Sequence, residues 1–247
     1  MANRPQAAAG ADPRLLWFSP PDAGESPRRA LTRERVVAEA LTVISTDGAA
    51  SLSMRALATR LGVVPGALYR HVRSKEQLLD LVVDGVLAEV DCQPGHSLAW
   101  AEQVKVLAHR LRTVLEDHPG IAGLLKTRDP LGPHSLALAE AFLAPLQAAG
   151  LPGQETALAF SLIYDYTLGF ALSDRTTVNE QRIQDTATRH QLHAFFRSLP
   201  ADRFPALAAL GEHIWAGNRD QRFTASLDTL LGGIETARRR NRRQPLR

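Results

Sequence analysis

Residues Leu52–Leu79 read LSMRALATRLGVVPGALYRHVRSKEQLL, and the punctuation of this stretch decides the fold. Ser53 is a good N-cap ahead of Met54–Leu61, a predicted helix whose Leu57 and Leu61 recur at i, i+4 and so face one core. Gly62 stands just past the helix end, where a left-handed backbone costs a residue without Cβ little. Val64 and Pro65 open the next helix, since proline is tolerated at a first position whose N–H lacks a helical partner anyway. The spacing predicts that helix over Pro65–Val72, with Leu68 and Val72 pointing back at the first helix and Ala67, Tyr69, Arg70 and His71 on or near the free faces. Ser74 with Gln77 three residues on makes a capping box for a longer helix, Lys75 to about Asp91, which carries Leu78, Leu79, Val82, Val83, Val86 and Leu87. Two short helices around a tight turn, the second with a free face, form a helix-turn-helix, and a major groove admits such a face.

The rest of the chain fits a helical, DNA-facing protein. Its 247 residues can bury one large or two modest cores. The net charge of +3 is unremarkable. From Ser26 to Lys75, however, nine Arg or Lys stand against three acids, Glu34, Glu39 and Asp47. Such a local surplus attracts phosphate, or else is a solvated charged face. The lone Cys92 excludes an internal disulfide and suits a reducing cytoplasm. No apolar run approaches the ~20 residues of a membrane span, and no secretory signal pattern opens the chain, so a cytoplasmic protein with no membrane association is expected.

Four parts are expected. Residues 1–31, rich in Ala, Pro, Gly and Asp, read as a mostly disordered basic arm with LLWF at Leu15–Phe18. Residues 32–91 hold the helix-turn-helix and the connecting helix. CQPG at Cys92–Gly95 breaks that helix, residues 92–241 are helical again, and 242–247 are a frayed basic tail. In the larger part, helices are expected over Ser97–Asp117, Gly120–Leu125, Ser135–Ala149, Gln154 to about Ser173, Ala201–Leu210 and Arg219–Arg240. Gln154–Ser173 is nearly continuously apolar, so burial on most sides is expected, in the middle of a bundle or at a subunit interface. Asp174–His190 reads as a polar, poorly patterned connection.

These residues resemble the tetracycline repressor (TetR) family of bacterial transcription regulators. The resemblance rests on RERVVAEALTVISTDG from Arg33, SMRALATRLGV from Ser53 and ALYRHVRSKEQLLD from Ala67, above all the LY-x-H followed by K-x-x-LL. It continues through Trp100, IYDYTLGFALSD from Ile163 and RFTASLDTLLGGIE from Arg222, which look like the C-terminal regulatory domain of the tetracycline repressor subfamily. It implies an all-α homodimer, with an N-terminal three-helix helix-turn-helix domain and a larger helical domain for ligand binding and dimerisation. The late helix would pair with its copy and with the buried helix in a four-helix interface, where Gly232 and Gly233 either permit close approach or mark a weak point. The implied function is repression from a palindromic double-stranded DNA operator, released by a small-molecule effector, with the helix from Lys75 as the lever.

By the same resemblance, Arg55 stands where the family places a base-reading arginine, the best geometric match to guanine O6 and N7; otherwise it is a phosphate contact or a surface ion pair. Pro65, Gly66 and Ala67 occupy the recognition-helix start, where the parent repressor carries a larger polar residue, so only apolar readout remains there and Arg70 takes more of the work. Ser53, Tyr69, His71 and Lys75 look like backbone clamps, since such side chains and helix N-termini bond phosphate oxygens. Tyr69 could instead pack in the core, and His71 could be bonded within the domain. Arg28 and Arg29, at the edge of the first helix, either reach an adjacent minor groove or belong to an idle disordered tail.

The effector region departs from the namesake. Alignment puts Leu124 at the metal histidine and Ser173 at the metal carboxylate, and neither can serve. Leu107, Leu111, Phe142 and Phe160 make the implied pocket apolar, with Thr127, Tyr164 and Asp165 as polar orienters. A large aromatic or polyketide-like molecule suits it better than magnesium-tetracycline. Alternatively, these side chains simply fill a helical core. No metal and no cofactor are expected: His190 and His193 lack a third ligand, and Cys92 with His96 lacks an orienting group. The competing readings are a helical module whose helix-turn-helix serves protein contacts and, more distantly, an all-helical enzyme.

Overall fold

The computed structural model describes residues 31–95, 97–128, 131–173, 186–211, 213 and 217–243. The described residues are helical, with no strand among them. In chain order the helices are α1 Arg33–Asp47, α2 Met54–Leu61, α3 Pro65–Leu68, α4 Lys75–Leu87, α5 Trp100–Asp117, α6 Ile121–Leu125, α7 Pro133–Ala148, α8 Gly153–Leu172, α9 Thr186–Arg197, α10 Pro205–Leu210 and α11 Arg219–Arg243. The arm to residue 30 and residues 244–247 lie outside the described residues, as do Arg28, Arg29 and His96.

Two compact units divide the chain. The first runs to Cys92 and adds Asp117–Ala141; the second comprises Gln93–Glu116 and Phe142 onward. The domain expected over residues 32–91 is thus joined in its unit by the α6 segment and the beginning of α7.

Local chemistry sets the helix ends of the first unit. Thr32 accepts from the Arg35 N–H at 3.2 Å, Ser53 from Ala56 N–H at 3.2 Å and Ser74 from Gln77 N–H at 3.1 Å, each filling an orphan donor. Gln77 Oε1 reaches back to the Arg73 N–H. Gly62 closes α2 at φ +70°, in the left-handed region. Val36, Ala40, Val43 and Ile44 of α1, Leu57 and Ala58 of α2, Leu68 of α3 and the apolar flank of α4 are all buried. α1 packs on α2 and α4, and α2 on α3.

Several boundaries differ from the sequence reading for physical reasons. α3 stops at Leu68 rather than Val72: Arg70 N–H bonds Ala67 O and His71 N–H bonds Leu68 O, so the chain tightens to i, i+3 bonding beyond a helix that begins Pro-Gly. α4 ends at Leu87, with Ala88–Val90 in turns. His190, placed in a polar connection, lies instead in α9, where Leu192 and Phe196 repeat at i, i+4 and α10 packs alongside. Gly211 allows that approach, because a Cβ there would stand 2.3 Å from Phe196. Within one chain α8 is buried on one side only, through Ile163, Thr167 and Leu168, while Leu158 is 62% and Leu162 46% exposed, which leaves the subunit-interface alternative for its other face.

The α4 flank also carries polar anchors. Asp84, 2% exposed, accepts from Ser135 N–H at 2.8 Å, Ser135 Oγ at 2.9 Å, His134 Nδ1 at 2.9 Å and His134 N–H at 3.4 Å, and so caps the start of α7 from a distant helix. One turn earlier, Arg128 Nε donates to Asp80 at 2.7 Å and its Nη2 to Glu76 O at 2.8 Å. Just past the helix, His118 Nε2 lies 2.9 Å from Glu89 Oε2.

Removing the cap should therefore be costly. Asp84→Ala strands two backbone donors at once, and we expect a loss of about 2–3 kcal/mol in denaturant unfolding. His134→Ala should cost about 1 kcal/mol or less, because its half-exposed ring leaves the Ser135 bonds in place. Equal midpoints for the two variants would contradict this assignment.

Candidate DNA interface and effector region

The α2–α3 pair builds a surface from small parts. Leu68 and Val72 are buried beneath it, so Pro65, Gly66, Tyr69 and Arg70 face outward; Tyr69 is 52% exposed, which sets aside core packing for its ring. Ala67 is half-buried at the edge. Arg55 is exposed on the first turn of α2, and Lys75, half-buried, opens α4. Ser53 is exposed; its oxygen is engaged as the α2 cap and its O–H can still donate. His71 is half-buried, and its carbonyl accepts from Arg33 Nε at 3.3 Å, tying the turn after α3 to the beginning of α1.

The basic surplus is not all available. Arg60 Nε lies 2.5 Å from Glu39 and its Nη1 3.9 Å from Asp47, so one of the nine cations and two of the three acids neutralise one another. Sequence reasoning missed Val64, which is 71% exposed at the tip of the turn. Its signal was its place: an apolar residue directly before the proline that opens α3.

In the second unit, α5, α8 and α11 meet around Phe223. Tyr166 stacks on it with centroids 5.3 Å apart, while Phe170 and His109 approach edge-on at 5.0 and 4.9 Å. The buried Arg112 guanidinium lies 4.7 Å from the same ring, reaches Glu116 at 3.0 Å and Asp220, and is joined by Arg219, 4.5 Å from Phe170 and 3.0 Å from Glu116. Arg112 holds the Asp220 carboxyl below the usual range. Burial, reinforced by Arg112 and Lys105, pushes the His109 imidazole below its usual range.

The residues expected around an effector fall in both units. Leu107, Leu111 and Phe142 are fully buried in the second, where Phe142 lies 6.1 Å from Phe160 and Phe160 5.5 Å from a half-buried Tyr164. Asp165 is exposed, and so is Ser173, whose hydroxyl donates to Gly169 O at 2.9 Å. Leu124 is buried on α6 of the first unit, and Thr127 just beyond it returns its hydroxyl to Gly123 and Leu124 carbonyls. Among the described residues, no three His, Cys, Asp or Glu are grouped to hold a metal. His190 is exposed and His193 half-buried on α9. No described helix is long and apolar enough to cross a membrane.

Comparison with known proteins agrees with this architecture. A family model for bacterial regulatory proteins of the tetR family matches residues 36–82, and one for the tetracyclin repressor-like C-terminal domain matches residues 93–238. An HTH-type transcriptional regulator of Saccharopolyspora erythraea is 35% identical over 197 residues, covering 79% of this chain and 81% of that protein. The HTH-type transcriptional repressor DrrR1 of Streptomyces coeruleorubidus is 29% identical over 239 residues, 94% and 88% of the two chains. The TetR family protein ActR of Streptomyces coelicolor, solved in complex with (S)-DNPA, matches with a TM-score of 0.73 at 33% identity over 84% of this chain and 98% of its own; ActR has also been solved with actinorhodin. With both halves matched and the helix-turn-helix in place, the chain belongs to the tetracycline repressor family of bacterial transcription regulators, DNA-binding proteins rather than enzymes.

Proposed function

We propose that the chain is a homodimeric repressor that reads a palindromic operator with two copies of α3 and lets go when a largely apolar small molecule binds its second unit. One observation carries the reading: Pro65, Gly66, Tyr69 and Arg70 stand outward over a buried Leu68 and Val72, flanked by Arg55 and Lys75. Arg55 and Arg70 then address base edges, while Ser53, Tyr69, His71 and Lys75 hold phosphates. A second copy fits the exposed Leu158 and Leu162 of α8, which packs on α11. Gly232 and Gly233 of α11 meet nothing within 4 Å where a Cβ would stand, which leaves a shallow face for a partner helix.

For the effector, Phe160 and Tyr164 are the reachable aromatic wall, joined through Phe160 to the fully buried Phe142, with Leu107 and Leu111 fully buried in the same unit. The complexes of ActR with (S)-DNPA and actinorhodin support a small-molecule effector here. α4 would be the lever, and its four anchors support that by tying the segment after α5 to the helix that follows the helix-turn-helix, so that a ligand favouring the DNA-incompetent state can act through it.

Selecting duplexes from a random pool, then measuring affinity against salt, tests DNA reading; a chain that selects no duplex would instead favour protein contacts for the helix-turn-helix. Arg55→Ala should cost roughly 1–3 kcal/mol and relax selectivity at one position of each half-site, whereas Lys75→Ala should weaken all sequences alike and flatten the salt slope. Unchanged selectivity in Arg55→Ala would remove its base-reading role.

A compound found to release the selected duplex should act equally well in excess chelator. Phe160→Ala should raise the concentration needed by about tenfold while leaving ligand-free operator affinity intact, a loss of roughly 1.4 kcal/mol. A magnesium requirement for release would count against this pocket.

Deleting residues 1–29 removes Arg4, Arg14, Arg28 and Arg29 but keeps the Thr32 cap. Operator affinity should fall roughly tenfold with a shallower salt slope, because released counterions scale with phosphates neutralised. A truncated chain with unchanged slope would show the arm to be idle.

A further inference from the structure

From Gly62 to Ala67 the chain runs GVVPGA, six residues without one polar side chain, across the most outward part of the DNA face. Val64 is 71% exposed, and Pro65 and Gly66 are exposed beside it. Gly66 has no internal reason to be glycine. It is not among the glycines with positive φ, and a Cβ added there meets nothing within 4 Å. A glycine inside a helix weakens it relative to alanine, and nothing inside the described chain asks for one here.

We propose that Val64, Pro65 and Gly66 form an apolar edge that reads thymine C5-methyl groups in the major groove, with Gly66 setting how closely that edge can seat. The inference rests on the DNA reading above and adds a base identity to it. Continuity with Tyr69 and Arg70 on the same exposed face places the edge against base pairs. The methyl of thymine is the one apolar group displayed in that groove; guanine, adenine and cytosine offer ring nitrogens, carbonyls and amino groups. A valine–proline edge has no donor to give them, so seating it over those bases leaves their polar groups dry and unpaired, while a methyl is simply buried. Tyr69 and Arg70 follow directly after α3 and are exposed as Val64, Pro65 and Gly66 are, so polar contacts flank the apolar edge.

The test uses the full chain and the duplex it selects from a random pool, remade with deoxyuridine in place of each thymine in turn, which removes only the methyl. We expect one or two positions per half-site where uridine weakens binding threefold or more, and less than half of that penalty in Val64→Ala. Because Gly66 has open space around it, Gly66→Ala should melt at the same or a higher temperature than the parent while binding the operator at least tenfold more weakly. Selected half-sites without thymine, uridine substitution without effect at every position, or full operator binding by Gly66→Ala would each overturn the proposal. A chain that selects no duplex would fail earlier, together with the DNA reading itself. That outcome is distinct from an operator bound tightly but indifferent to its methyl groups.

Discussion

The Asp84 carboxylate sits in the apolar flank of α4, between Val83 and Gly85, and four hydrogen bonds from His134 and Ser135 converge on it. A buried carboxylate without such partners would be severely destabilising. With them, its charge is matched to the orphan N–H groups of His134 and Ser135 at the start of α7. One residue thus serves two helices far apart in sequence. Arg128 repeats the device one turn away, spanning Asp80 and the Glu76 carbonyl. The segment after α5 is in this way held to the helix that follows the helix-turn-helix, and the first unit is closed by polar contacts as much as by Leu78, Val82 and Val86.

The DNA-facing half was legible because its signals are local. A cap, a glycine in the left-handed region and a proline at a first helical position each act over three or four residues, and Ser53, Gly62, Pro65 and Ser74 all stand as expected. What escaped were effects of distance. The i+4 spacing of Asp80 and Asp84 inside LLDLVVDGVL was visible, but the Arg128, His134 and Ser135 that explain it lie about fifty residues on. The apolar run of α8 suggested burial, yet hydrophobicity records only that a face wants cover, not whether this chain or a partner supplies it; Leu158 and Leu162 remain exposed. For α9, the polar residues before it masked the Leu192–Phe196 pairing that makes it a helix.

The second unit solves a different problem, keeping charge inside a helical bundle. Arg112 is buried between the Phe223 and Phe170 rings, and the carboxylates of Glu116 and Asp220 answer it from the same helix and from α11. Arg219 shares Glu116 and bonds the Phe170 carbonyl, so both cations are spent on joining α5, α8 and α11. At the far end of α11, Arg238 donates to the Ala149 carbonyl and pairs with Glu235, whose carboxyl is drawn down to about 2 by Arg238 and Arg239. Arginine abundance therefore reports internal cross-links here as well as attraction for phosphate.

The anchors along α4 also have a mechanical meaning. From the Glu76 carbonyl through Asp80 to Asp84 they run up one side of the helix over roughly 12 Å, with Glu89 added in the turn beyond it. They tie α4 to the segment after α5. Sliding or turning α4 against that segment would break them together. Under the proposed release by an effector, the segment around His118, Arg128 and His134 would therefore carry α4 along with it rather than slide past it.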